Sequence, residues 1–156
     1  PNARLLSALK NAVVPHGNRP YRILGGINRG ATMWLDLRHD SQRLVGLYEQ
    51  ELCGFIERFA SGSNTAVDIG AAYGYYSLYF LLKSPARKVI AFEPNDSERA
   101  RLRSNIEWNP RGDGKVLEIH PYEVKYKLFN SADTNVYSLD KANIVLVVYE
   151  NGSYEI

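Results

Sequence analysis

Thr65-Ala-Val-Asp-Ile-Gly-Ala-Ala-Tyr-Gly-Tyr-Tyr-Ser77 reads as a short apolar strand, a turn bearing Gly70 and Gly74, and the start of a helix. The helix rich in Tyr and Leu runs from Tyr75 to Lys83. A second strand follows from Lys88 to Phe92, and Glu93 closes it inside Val89-Ile-Ala-Phe-Glu-Pro94. Asn95 is placed to cap the next helix, with Glu98 reaching back from the third helical position as in a capping box. That helix extends to about Trp108, where Asn109-Pro-Arg-Gly-Asp-Gly114 stops it, and Val116 to Ile119 is a third strand. Strand, helix, strand, helix, strand is the pattern of an α/β fold, a parallel sheet with helices on both faces.

On the upstream side, residues 1–20 hold a brief apolar cluster, Leu5, Leu6 and Leu9, before Pro15 and Pro20. Residues 21–24 and 31–37 have strand character, and the glycine-rich link between them predicts a β-hairpin. Alternation in its second strand puts Met33, Leu35 and Leu37 on one face. From Ser41 to Phe59, Leu44, Tyr48, Leu52, Phe55, Ile56 and Phe59 recur at helical spacing, although Gly46 and Gly54 interrupt the pattern. Downstream, Val124, Tyr126 and Leu128 alternate with Lys125 and Lys127 as an exposed strand, and residues 130–135 form a polar loop. Residues 144–149 are an unbroken apolar run of the kind that fills a central parallel strand.

The turn and the acid have a chemistry. Without a Cβ, Gly70 and Gly74 let the backbone approach a bound molecule. A carboxylate at Glu93 can accept hydrogen bonds from both hydroxyls of a ribose. Asp68, just before the turn, can orient an ammonium group directly or through water. The set suits a ligand with a ribose, an amino-acid tail and no phosphate, namely S-adenosylmethionine. A dinucleotide would want a second glycine where Ala72 stands, and no G-x-x-x-x-G-K-[ST] loop is present for a nucleoside triphosphate. The glycines alone are compatible with a simple tight turn, and Glu93 with a cap on the helix after Pro94. Together the four residues favour ligand binding.

Val67-Asp-Ile-Gly-Ala-Ala-Tyr-Gly-Tyr-Tyr-Ser77, followed by Ala91-Phe-Glu-Pro94 and a helix with Asn105 and Asn109, resembles the FkbM-type S-adenosylmethionine-dependent methyltransferases. Leu47-Tyr-Glu-Gln-Glu51 is similar to that family's lead-in helix, so the resemblance covers about residues 21–110. It implies a Rossmann-like methyltransferase fold and methylation of a hydroxyl oxygen on a sugar, glycan or secondary-metabolite acceptor. It also implies that Asp68, Gly70 and Gly74 are cofactor-loop positions and that Glu93 holds the ribose, with Tyr75 and Ser77 following the loop. Ala72 and Tyr73, within the same turn, are expected to line the cofactor cleft. The last segment departs from the family's Lys-x-Asp-x-Glu-Gly motif. Glu150 falls on the motif glutamate, while Leu146, Val147 and Asn151 replace the lysine, aspartate and glycine. Glu150, read at the carboxyl end of a fourth parallel strand, is the candidate general base for an alcohol acceptor. His120, after the third strand, is more readily a packing or surface residue.

The 156 residues predict one domain, with residues 1–40 as an extension carrying the hairpin. A net charge of +2 is too small to argue for nucleic acid or a membrane surface. The single cysteine, Cys53, permits no intrachain disulfide, and no histidine has metal-ligand spacing to a partner, so no metal is expected. No apolar run is long enough to span a bilayer and no secretory leader is visible, which leads to an expected cytoplasmic placement. Only four strand candidates are found for the sheet, against seven in a Rossmann-like methyltransferase. Three accounts are open: a piece of a longer protein with C-terminal strands missing, a homodimer through the open edge of the fourth strand, or a non-catalytic, methyltransferase-like binding domain.

Overall fold

A computed structural model describes residues 15–112, 114–122, 124–126, 137–138, 144–148 and 154–155. The chain divides into two compact units, Pro1–Cys53 and Gly54–Ile156. In the first, β1 (Arg19–Arg22) pairs antiparallel with β2 (Thr32–Leu35), Arg19 opposite Leu35 and Arg22 opposite Thr32. Met33 and Leu35 are fully buried and alternate with half-buried Thr32 and Trp34, as the period-two pattern predicts. The strand stops short of the expected Leu37. Asp36 accepts a hydrogen bond from the Arg38 N–H at 3.0 Å, caps α1 (Leu37–Val45) and draws Leu37 into the helix.

The single helix expected from Ser41 to Phe59 is two. α1 ends at Gly46, whose φ of 80° is left-handed, and α2 runs over Gln50–Ala60. A Cβ at Gly46 would lie 2.1 Å from Gly25 C and from Gly26 N, so glycine is required there by close backbone approach as well as by φ. The apolar stripe is only partly used. Ile56 and Ala60 are buried, whereas Leu52 and Phe55 are exposed.

The second unit is built on a five-stranded sheet whose strands lie side by side in the order β5 (Val116–His120), β4 (Lys88–Phe92), β3 (Thr65–Ile69), β8 (Ile144–Val148) and β9 (Tyr154–Glu155). β3 (Thr65–Ile69), β4 (Lys88–Phe92) and β5 (Val116–His120) are mutually parallel, with Ile69 beside Phe92 and Phe92 beside His120. α3 (Tyr75–Leu82) connects β3 to β4, and α4 (Asp96–Glu107) connects β4 to β5. α3 is apolar nearly all round, and every residue from Tyr75 to Leu81 is buried, which makes it a core helix rather than a surface one. Leu78, Phe80, Val89, Ala91 and Leu102 are sealed completely. β6 (Lys125–Tyr126) pairs antiparallel with β7 (Tyr137–Ser138).

One strand runs against expectation. β8 (Ile144–Val148) lies beside β3 but antiparallel to it, Ile144 opposite Ile69 and Val148 opposite Thr65. An uninterrupted apolar run does not encode its own direction. A parallel partner needs a crossover connection, usually helical, whereas an antiparallel one does not, and β8 takes the antiparallel register. The sheet is therefore parallel across β5, β4 and β3 and antiparallel in the pairings of β8. β9 (Tyr154–Glu155) pairs with β8 at Val147 and Val148, so the far side of β8 is not wholly an open edge. No helix among the described residues is long and apolar enough to cross a membrane.

Gly46→Ala should cost at least about 3 kcal/mol, because the added methyl meets backbone that cannot turn aside. Urea unfolding followed by the fluorescence of Trp34 in a Trp108→Phe background measures it, and a parental midpoint would show that the Gly25–Gly46 contact does not hold this unit together.

Candidate functional site

The turn after β3 is closed by hydrogen bonds to the neighbouring strand. The Gly70 and Ala71 N–H groups both donate to the Phe92 carbonyl, at 2.9 and 3.0 Å, and the Gly74 N–H donates to the Ala71 carbonyl at 2.7 Å. Glu93 then turns its carboxylate onto the turn. Oε2 accepts from the Ala72 N–H and Oε1 from the Asn95 N–H, each at 2.8 Å, with the side chain only 7% exposed. The acid thus faces the turn at residues 70–74. Each carboxylate oxygen keeps a second lone pair for a further donor.

Ala72 stands where a dinucleotide fingerprint has its second glycine, and its φ is +46°, a left-handed conformation that glycine adopts more freely. The backbone has the glycine shape and carries a methyl on it. Because Gly70, Ala71, Ala72 and Gly74 already donate within the protein, these N–H groups do not form an open nest for a pyrophosphate.

Asp68 is 1% exposed, and its Oδ2 accepts from the Ser77 hydroxyl at 2.6 Å. The Ser77 backbone N–H also favours the charged carboxyl. Gly74, the N-cap of α3, offers no side chain to the helix amides, so Asp68 performs that office from the adjoining strand. Burial pushes its carboxyl up from 3.8 to about 6, the two Ser77 hydrogen bonds pull it down, and the Glu93 charge adds a smaller rise. Its contact to Ser77 was not anticipated from the sequence, which placed Asp68 toward a ligand ammonium group.

Tyr73 is held by α4. Its ring lies beneath the Arg101 guanidinium of α4, 4.1 Å from the centroid, and only 9% of the residue is exposed. Asn95 caps α4 as expected, accepting from the Ser97 and Glu98 N–H groups. The capping box does not close, because Glu93 already holds the Asn95 N–H that Glu98 would have filled. Glu98 pairs with Arg101 at 3.2 Å instead. Arg99, 8% exposed, donates to the Glu93 and Pro94 carbonyls at 2.7 and 2.6 Å and pairs with Asp96. Arg99 and Arg101 escaped sequence reading.

His120 is stacked between Phe92 and Tyr122, with ring centroids 5.1 and 6.1 Å apart, and its Nε2 is 3.7 Å from Glu118. That agrees with a packing role. Glu150 lies outside the described residues. β8 leaves the turn end of the sheet at Ile144 and finishes beside Thr65, so the parallel direction that had put Glu150 at the mouth does not hold. Among the described residues no group of three or more His, Cys, Asp or Glu could hold a metal ion. Comparisons with protein-family models, with curated proteins and with solved structures return no match.

Glu93→Gln must set an NH2 against either the Ala72 or the Asn95 N–H, and should lower stability by about 2 kcal/mol in urea unfolding. An unchanged midpoint would mean that the two amides do not depend on the carboxylate. For Asp68 the folded value exceeds the unfolded one, so its contribution is full below about pH 4 and is lost as pH rises through about 6. The stability of Asp68→Asn relative to the parent should therefore climb by a few kcal/mol between about pH 4 and about pH 7. A flat difference curve would contradict the buried, Ser77-bonded acid.

Proposed function

We propose that the second unit binds S-adenosylmethionine and that the protein is an O-methyltransferase for a hydroxyl of a sugar, glycan or secondary-metabolite acceptor, on a Rossmann-like methyltransferase fold. The observation carrying this proposal is the Glu93 carboxylate held against the Ala72 N–H at the carboxyl ends of two adjacent parallel strands. Such a place, with an acid on one strand and a close-approach turn on the other, is where open α/β sheets take nucleosides. The absence of an open anion nest and the proximity of two buried acids, Asp68 and Glu93, favour a ligand without phosphate. The acceptor class rests on the family resemblance alone.

When bound, S-adenosylmethionine supplies a methyl group on a sulfonium, open to in-line attack by an oxygen. The chain's residues orient and exclude water. Glu93 accepts from the ribose hydroxyls with the lone pairs that its amide partners leave, and the backbone at 70–74 permits close approach. Asp68 keeps α3 and the turn in place through Ser77. No described side chain is assigned as the base that removes the acceptor proton.

A second reading, a methyltransferase-like binding domain without catalysis, is favoured by one observation. Glu93 and Asp68 each have their hydrogen bonds within the chain, so the constellation holds its shape without a ligand.

Calorimetric titration separates these possibilities from a dinucleotide. S-adenosylmethionine and S-adenosylhomocysteine should bind with Kd near or below ~100 μM, NAD should not, and Glu93→Ala should abolish binding in protein that still folds by circular dichroism. Binding of NAD in preference, or S-adenosylmethionine binding that is indifferent to Glu93→Ala, would refute the proposal. Binding without transfer to any hydroxyl acceptor would support the second reading.

A further inference from the structure

α4 supports the turn at a second point, one residue beyond the one that Glu93 holds. The Asn105 side chain is fully buried and its Nδ2 donates to the Tyr73 carbonyl at 2.7 Å. Asn109 in turn donates to the Asn105 carbonyl at 2.6 Å. One turn earlier on the same helix, Leu102 lies under Gly74 so closely that a Cβ there would be 2.8 Å from its Cγ. Arg101 covers the Tyr73 ring. Glu93 thus holds the turn by the Ala72 N–H, and Asn105 holds it by the next residue's carbonyl.

A buried asparagine on an apolar helix face is costly unless it is paired, and a leucine or isoleucine would fill the position better if packing were its only task. Asn105 alternates with Leu102 and Ile106 on that face, both buried. Its amide reaches out of the helix to a backbone carbonyl of the turn. The carbonyl of Tyr73 is fixed in direction by that bond, and with it the peptide that joins Tyr73 to Gly74.

We propose that Asn105 is a positioning residue for ligand binding: it locks the Tyr73–Gly74 peptide so that the turn is in its binding shape before a ligand arrives, with Arg101 and Leu102 as lateral supports. This rests on 70–74 being the ligand turn. Preorganisation of this kind is felt as affinity, because a loose turn must be ordered when the ligand binds.

Two measurements on the full chain test it, one with ligand and one without. In Asn105→Asp the donor becomes an acceptor facing a carbonyl. Arg101→Gln removes the cation from the Tyr73 ring at a partly exposed position and leaves the core intact. Without ligand, native-state amide exchange at Ala72, Tyr73 and Gly74 should quicken by about tenfold or more in Asn105→Asp, and less in Arg101→Gln, beyond any change at Val89 and Ala91 of β4. With S-adenosylhomocysteine, Kd should rise about fivefold or more in Asn105→Asp, measured at a temperature where the variant is folded. A purely structural asparagine would quicken exchange at β4 and the turn in equal proportion and leave Kd of the folded protein unchanged, which would overturn the proposal. If Asn105→Asp does not fold, Arg101→Gln decides: turn-selective exchange supports the proposal and uniform or unchanged exchange overturns it. If the parent chain binds no S-adenosylhomocysteine, the proposed function fails, while the exchange comparison still decides whether Asn105 locks the turn.

Discussion

The pair of hydrogen bonds from the Ala72 and Asn95 N–H groups to one Glu93 carboxylate joins the turn after β3 to the corner after β4. A charged acceptor for two amide donors is among the stronger polar contacts a protein makes, and here it is nearly removed from water. Much of the second unit follows from it. The turn can take a left-handed alanine because its N–H is held, and α4 can start at Asn95 without a capping box because Glu93 has filled the place. Arg99 then ties down the carbonyls of Glu93 and Pro94 from within α4, and Asn105 ties down Tyr73. The turn, the acid and the helix hold one another.

The same wiring bears on which ligand fits. A phosphate-binding turn keeps its amides pointing outward and free. This turn has turned most of them inward and has set two carboxyl groups beside it. What remains for a ligand is close backbone approach and an acid with spare acceptor capacity. That combination suits hydroxyls and positive charge better than phosphate.

Much of this was legible in the sequence because the signals are local and periodic. The three parallel strands and the helix between each pair follow from apolar runs separated by turn residues, and Asn95 from its position before a helix. The hairpin follows from the glycine-rich link between two strand-like runs, and its buried face from the alternation of Met33 and Leu35. The direction of β8 was not legible, since Ile144–Val148 is apolar throughout and pairs equally well either way; only the chain's route decides it. Asp36 ended β2 early and Gly46 split a helix, the second through contact with Gly25 and Gly26, which lie far off in sequence. At the candidate site, Asp68 and Glu93 were singled out by spacing, but their partners within the protein were not. Hydrogen bonds between Ser77 and Asp68, or from Asn105 to Tyr73, join residues on different elements. The one visible hint was a polar Asn105 on the face that carries Leu102 and Ile106.

The most direct measurement is a titration of the isotope-labelled chain with S-adenosylhomocysteine, followed by amide nitrogen–proton correlation spectra. The Ala72 and Asn95 amides report on the Glu93 carboxylate from its two sides. They should show the largest saturable shifts of the spectrum, together with Tyr73, and NAD should leave them in place. A folded protein whose Ala72 and Asn95 signals do not move with S-adenosylhomocysteine, or move only with NAD, would mean that Glu93 serves the fold and no nucleoside of this kind.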